Sequence, residues 1–181
     1  MDHVLFVCTG NLCRSPIAEA LLRARLAGHA EDVLVTSAGT MAFASSATSD
    51  AELVAAEMGG DLSDHRARRL DPGLVESADL IIAMTADHVI DILHQAPSAA
   101  PRVFKLTELA RLAASTPRGD GESVREWAHR LGGHRSKRPW ADSRDDRDVA
   151  DPMGETVDFY RATAREIDAL LAEVVAGGWP H

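Results

Sequence analysis

Two short stretches constrain this chain more than any others. His3–Val7 (HVLFV), apolar from Val4 onward, and Leu80–Met84 (LIIAM) are strand-length runs with no polar residue at alternate positions. A strand with one wet face alternates, whereas a strand covered on both faces reads as a solid apolar block. Strands of that kind belong to parallel sheets with helices on each side. The intervening segments have helical spacing. From Pro16 to about Gly28, apolar residues fall at Ile17, Leu21, Leu22 and Leu26, and Gly28 is a stop signal. Val33–Ser37 and Arg102–Phe104 read as two more strands. Ser49 reads as the cap of a helix carrying Leu53, Val54 and Met58 and ended by Gly59–Gly60. Asp71–Pro72 opens a short helix, and Asp87–Gln95 and Thr107–Ala113 supply two more. A long final helix runs from Glu155 to about Ala176, with Val157, Tyr160, Ile167, Leu170, Leu171 and Val174 on its buried side. Strand and helix in alternation imply right-handed crossovers, hence an α/β fold with a doubly wound parallel sheet. Ligands of such sheets sit beyond the carboxyl ends of the strands. Cys8 leaves the first strand at that end.

The 181 residues fit a single domain, and 45% hydrophobic content is enough for one core. A net charge of −9 argues against general binding to nucleic acid or to an anionic membrane. With no bilayer-length apolar run and no signal-peptide pattern, a cytoplasmic location is the default expectation. Cys8 and Cys13 are the only cysteines, which excludes a disulfide framework and a four-cysteine zinc site. His129 and His134 flank a glycine pair without other metal-type ligands nearby, so no metal is expected there. Residues 115–149 are rich in Arg, Asp, Gly and Ser, with Arg135, Lys137 and Arg138 beside Asp142, Asp145, Asp146 and Asp148. This stretch reads as a charged insertion with too few apolar residues for its own core. It is either a solvated loop bearing one exposed helix, about Glu122–Leu131, or a lid or docking surface near the cleft.

The loop Cys8–Thr9–Gly10–Asn11–Leu12–Cys13–Arg14–Ser15 carries the chemistry. A turn from a strand into a helix N-terminus gathers backbone N–H groups into one concavity, and the helix dipole makes that concavity attractive to anions. Gly10 lets the backbone curl, and Arg14 adds a planar fork matched to two phosphate oxygens. A cysteine facing such a field reacts as the thiolate. Ser15 can donate to that sulfur or cap the helix. The arrangement predicts phosphoryl transfer to Cys8 followed by hydrolysis, with Arg14 and the loop amides holding the phosphoryl oxygens.

The segment VLFVCTGNLCRSPIAEALLR resembles the active-site segment of the low-molecular-weight protein tyrosine phosphatases. TSAGT (Thr36–Thr40), DHRARRL (Asp64–Leu70), ESADLIIAMTADH (Glu76–His88) and DPMGETVDFY (Asp151–Tyr160) match that family's other signatures in order. The resemblance implies a phosphatase I-like fold with a four-stranded parallel sheet. It implies no metal or organic cofactor, a phosphorylated protein as substrate, and a monomer or weak homodimer. By the same resemblance Cys8 is the nucleophile, Arg14 the phosphate clamp and Asp151 the general acid and base. Thr9, Gly10, Asn11, Leu12, Cys13, Arg14 and Ser15 bind the phosphoryl group, and Asn11, Ser37 and His65 brace the loop. A reversible Cys8–Cys13 disulfide under oxidation is also implied. Asp151–Pro152 reads equally as a helix cap, and Asn11, Ser37 and His65 each have a local polar reading.

Tyrosine-specific members usually carry aromatic residues after the Asp–Pro pair, where this chain has Met153 and Gly154. Met41 and Phe43 are other candidates for a substrate wall. Bacterial relatives with Asp–Pro–x–Gly include protein arginine phosphatases, but those typically place threonine where Leu12 stands. Leu12 therefore favours phosphotyrosine, with phosphoarginine as the alternative. Thiol-dependent arsenate reductases share the loop but need a later resolving cysteine, and none follows Cys13. A non-catalytic phosphate-binding module would not need Cys8, Arg14 and Asp151 together.

Overall fold

The computed structural model describes residues 1–28, 30, 32–134 and 147–180. The chain forms β1 (Asp2–Cys8), α1 (Arg14–Leu26), β2 (Val33–Gly39), α2 (Ser49–Glu57), α3 (Pro72–Ser77), β3 (Leu80–Ala83) and α4 (Ala86–Gln95). A 3-10 turn at Pro97–Arg102 leads into β4 (Val103–Lys105), α5 (Leu106–Ser115), α6 (Val124–Gly133) and α7 (Val157–Gly178). The four strands are parallel in the order β2-β1-β3-β4. From β1 the chain crosses first to one neighbour and later to the other. The carboxyl end of β1 is therefore the point where strand order reverses, and there the flanking loops part to leave a crevice.

The solid apolar strands do cover both faces. Val4, Phe6 and Cys8 belong to the core shared with α1, α5 and α7, while Leu5 and Val7 belong to the core on the α3 and α4 side. β1 thus sends alternate side chains into two cores, which is why it shows no polar alternation. The parity places Cys8 on the α1 side. α1 is buried more widely than its 3.6-residue stripe implies: every residue from Arg14 to Leu22 is buried, Glu19 included. Helix starts follow local chemistry. Asp71 and Thr85 cap α3 and α4 through their side chains. The cap of α2 is Thr48, whose hydroxyl accepts the Ala51 N–H, and not Ser49 as expected; Ser49 is already the first helical residue.

The helix expected within residues 115–149 exists as α6, but it is not exposed. Val124, Trp127, Ala128 and Leu131 are buried in the main core. Trp127 donates its indole N–H to the Thr116 carbonyl at 2.9 Å and meets Trp179 edge-on, with ring centroids 6.4 Å apart. A Cβ at Gly178 would stand 2.9 Å from the Trp127 ring, so that glycine admits the indole. The few apolar residues of this stretch therefore serve the common core. Arg135, Lys137, Arg138, Asp142, Asp145 and Asp146 lie outside the described residues. On the final helix, Tyr160, Ile167, Leu171 and Val174 are buried, and Val157 and Leu170 half-buried. No helix among the described residues is long and apolar enough to cross a membrane.

The segment at 147–151 returns across the carboxyl ends of the strands. The Val149 N–H donates to the Met84 carbonyl at 2.9 Å. Thr107 donates its hydroxyl to the Arg147 carbonyl at 2.8 Å, and Asp148 accepts from the Ala86 N–H at 3.0 Å and pairs with Lys105 at 3.3 Å. These anchors on the β3 and β4 side hold Asp151 over the loop that follows β1.

Candidate active site

Cys8, Thr9, Gly10, Leu12, Cys13, Arg14, Asp151 and Met153 surround a cavity of about 170 Å³ beyond the carboxyl end of β1. The loop is held in place from behind. Asn11 has φ 56°, a left-handed conformation that asparagine tolerates better than most residues. Fully buried, it donates from Nδ2 to Ser15 Oγ at 2.9 Å and to Ser37 Oγ at 2.8 Å, and Oδ1 accepts the Arg68 N–H at 3.0 Å. Its carbonyl accepts from His65 Nε2 at 2.9 Å. The turn-forming and bracing readings of Asn11 are therefore not alternatives; one residue does both.

The hydroxyl protons can be assigned by counting. Ser37 accepts from Asn11 and donates to Glu19 Oε2 at 2.5 Å. Ser15 also accepts from Asn11, so its own proton is available to Cys8 Sγ at 3.0 Å, nearer than the Ala38 carbonyl at 3.5 Å. The Asn11 N–H points to the same sulfur at 3.3 Å. Two donors thus face Cys8. α1 begins behind Cys13 with no side-chain cap, so Ser15 is directed to the sulfur and not to the helix end. β2 approaches closely: a Cβ at Gly39 would lie 2.5 Å from the Thr9 carbonyl oxygen.

Arg14 is buried, and its Nη2 pairs with Asp151 Oδ2 at 2.8 Å, while Nη1 donates to the Val149 carbonyl at 3.2 Å. Asp151 is half-exposed, and its Oδ1 accepts the Met153 N–H at 3.2 Å. Cys13 is a free, buried thiol within reach of Tyr160 Oη at 3.3 Å and Thr48 Oγ1 at 3.6 Å. Burial raises its pKa and pushes the Tyr160 phenol up to about 12. Met41 and Phe43 are exposed in the loop after β2 and do not line the cavity; Met153 does. No cluster of metal-ligating side chains occurs among the described residues, and His129 and His134 are both exposed.

Ser37 and His65 stand behind the loop and line a larger, more open cavity of about 660 Å³ together with Glu19 and Arg68. No cysteine lines that cavity. Sequence reasoning missed Glu19, Arg68, Thr48, Tyr160 and His88 as partners of the loop. Arg68, His88 and Tyr160 fall inside the matched signature segments, and Glu19 stands out as a carboxylate in the apolar stretch of α1 with Arg23 four residues on.

Comparison with known proteins gives a consistent result. The family model described as low molecular weight phosphotyrosine protein phosphatase matches residues 3–116. A probable low molecular weight protein-tyrosine-phosphatase, EpsP, of Ralstonia solanacearum is 42% identical over 115 residues, 63% of this chain and 77% of that protein. A protein-arginine-phosphatase of Bacillus subtilis is 30% identical over 171 residues, 94% of this chain and 93% of that one. Among solved structures, the low molecular weight protein tyrosine phosphatase from T. tengcongensis superposes with TM-score 0.73 at 31% identity, covering 97% of this chain and 98% of that chain. The YwlE arginine phosphatase from Geobacillus stearothermophilus gives 0.72 at 30%, covering 96% and 90%. Strand order, the loop between β1 and α1, and the extent of the match together place this chain in the low molecular weight phosphotyrosine protein phosphatase family.

Proposed function

We propose that this protein hydrolyses phosphotyrosine in phosphorylated proteins through a cysteinyl-phosphate intermediate. The observation that carries the reading is the single small cavity shared by Cys8, Arg14 and Asp151. Arg14 exchanges the Asp151 carboxylate for two phosphoryl oxygens, which frees Asp151 to carry a proton. The Cys8 sulfur attacks phosphorus, the bond to the tyrosyl oxygen breaks, and Asp151 protonates that oxygen as it leaves. Water then attacks the phosphocysteine while Asp151 takes its proton, and sulfur departs with the electron pair. Ser15 Oγ and the Asn11 N–H, already directed at sulfur, stabilise the charge that returns to it. The N–H groups of Thr9, Gly10 and Leu12 through Ser15 serve as the phosphate cradle. Hydrolysis of p-nitrophenyl phosphate should vanish in Cys8→Ser; retained activity in that variant overturns the assignment.

Leu12, a bulky aliphatic in the cavity wall, supports phosphotyrosine over phosphoarginine. The arginine reading is favoured by Gly154 after the Asp–Pro pair and by the near full-length similarity to arginine phosphatases. Comparing turnover of phosphotyrosine and phosphoarginine peptides separates the two; dominant phosphoarginine turnover selects the second. Under peroxide, Cys8 goes to the sulfenic acid, the Cys13 thiol displaces water, and a disulfide forms. Dithiothreitol should restore peroxide-treated native protein and fail to restore Cys13→Ser, whose unprotected Cys8 sulfenic acid is oxidised by further peroxide to the irreversible sulfinic acid.

A further inference from the structure

His88 has no part in the chemistry above, yet it touches the catalytic loop. It lies in the first turn of α4, only 4% exposed. Its Nε2 is 2.9 Å from Thr9 Oγ1 and its Nδ1 is 3.0 Å from Thr85 Oγ1. β3 lies beside β1, so the start of α4 and the loop after β1 emerge next to each other.

The direction of these bonds follows from proton counting. Burial and, after it, Arg14 disfavour a charged imidazole, and its pKa is lowered to about 4 despite Asp91, Asp87 and Asp148 nearby. The ring is therefore neutral near pH 7 and has one N–H to give. Thr85 Oγ1 already accepts the His88 backbone N–H at 3.3 Å, as the cap of α4. Its hydroxyl proton is then best used on His88 Nδ1, which leaves the ring proton on Nε2. Nε2–H donates to Thr9 Oγ1, and the Thr9 hydroxyl proton must point elsewhere. Thr9 is exposed and lines the cavity that holds Cys8, Leu12, Asp151 and Met153.

We propose that His88 is a positioning residue that turns the Thr9 hydroxyl proton into the catalytic cavity, where it donates to a phosphoryl oxygen of the substrate. The proposal rests on the phosphatase reading and adds a specific donor to it. The relay is Thr85 Oγ–H to Nδ1, Nε2–H to Thr9 Oγ, and Thr9 Oγ–H to the bound phosphoryl group. Reversal of the tautomer would consume the Thr9 proton on Nε2 and abolish the donor.

Two measurements test this. Long-range proton–nitrogen correlation spectra of the native protein near pH 7 should show the His88 proton on Nε2; a proton on Nδ1 overturns the relay whatever the variants do. In kinetics with p-nitrophenyl phosphate, Thr9→Val and His88→Leu should each lower kcat/KM about tenfold, as expected for a bond to a charged oxygen. The double variant should be no worse than either alone, because both remove the same donor. His88→Gln, which keeps an N–H near the Nε2 position, should recover most of the His88→Leu loss. A hundredfold loss in the double variant, or His88→Gln no better than His88→Leu, overturns the proposal. Failure of the phosphatase reading appears separately, as activity surviving in Cys8→Ser.

Discussion

Replacing Asn11 with alanine should cost the protein about 4–5 kcal/mol. Three side-chain hydrogen bonds disappear, two donated to Ser15 and Ser37 and one accepted from the Arg68 N–H. At roughly 1 kcal/mol net each they account for about 3 kcal/mol. Alanine must also adopt the left-handed backbone at φ 56°, which adds about 1–2 kcal/mol. Glycine separates the two effects. Asn11→Gly loses the same bonds but escapes most of the backbone cost, offset by about 0.5–1 kcal/mol of extra chain entropy. It should therefore be the milder change, by up to about 1 kcal/mol. Urea unfolding of the native protein and both variants measures the differences. Activity should fall in both, in kcat more than in KM, because Ser15 loses the bond that directs its proton to Cys8. Either of two results refutes the reasoning: an alanine variant within about 1 kcal/mol of native, or a glycine variant less stable than the alanine one.

Asp151→Asn should lower kcat by about 10²–10³ for phosphotyrosine peptides, within the usual contribution of a general acid, and less for an ester with a good leaving group. Equal losses on both substrates in steady-state assays would remove Asp151 from proton transfer to the leaving oxygen. The depressed pKa of His88, about 4, ties stability to pH. Below pH 6.5 the unfolded chain takes up a proton that the folded one refuses, so stability falls as pH drops toward 4. The His88 contribution to that fall should be about 2 kcal/mol between pH 7.5 and 5, with buried His3 adding in the same direction. Urea midpoints at the two pH values measure it, and His88→Gln should flatten much of the slope; an unchanged slope contradicts the burial argument.

Much of this architecture was legible in the chain. Unbroken apolar runs at Val4–Val7 and Leu80–Met84 marked doubly covered parallel strands, and the cap at Asp71 marks a real helix start, whereas the helix expected from Asp87 begins at Ala86 behind a Thr85 cap. Misreadings came where tertiary contacts overrule local pattern. Thr48 caps α2 in place of Ser49 because its backbone is the last extended residue before the helix, and its N–H is also tied to the Leu12 carbonyl. α6 looks amphipathic and marginal in sequence, yet Trp127 makes it part of the common core by entering beside Gly178.

The loop and its chemical equipment are written locally in the chain. A thiol, a guanidinium and a hydroxyl within eight residues are local facts, fixed by the strand-to-helix turn that carries them. What surrounds them is set by the packing of distant segments: Asp151 beside Arg14, Glu19 behind Ser37, and His88 against Thr9. Those pairs join residues 137, 18 and 79 positions apart, respectively. Sheet order and crossover geometry bring such residues together, and a hydrogen bond requires atoms to meet within about 3 Å. No spacing along the chain encodes that meeting.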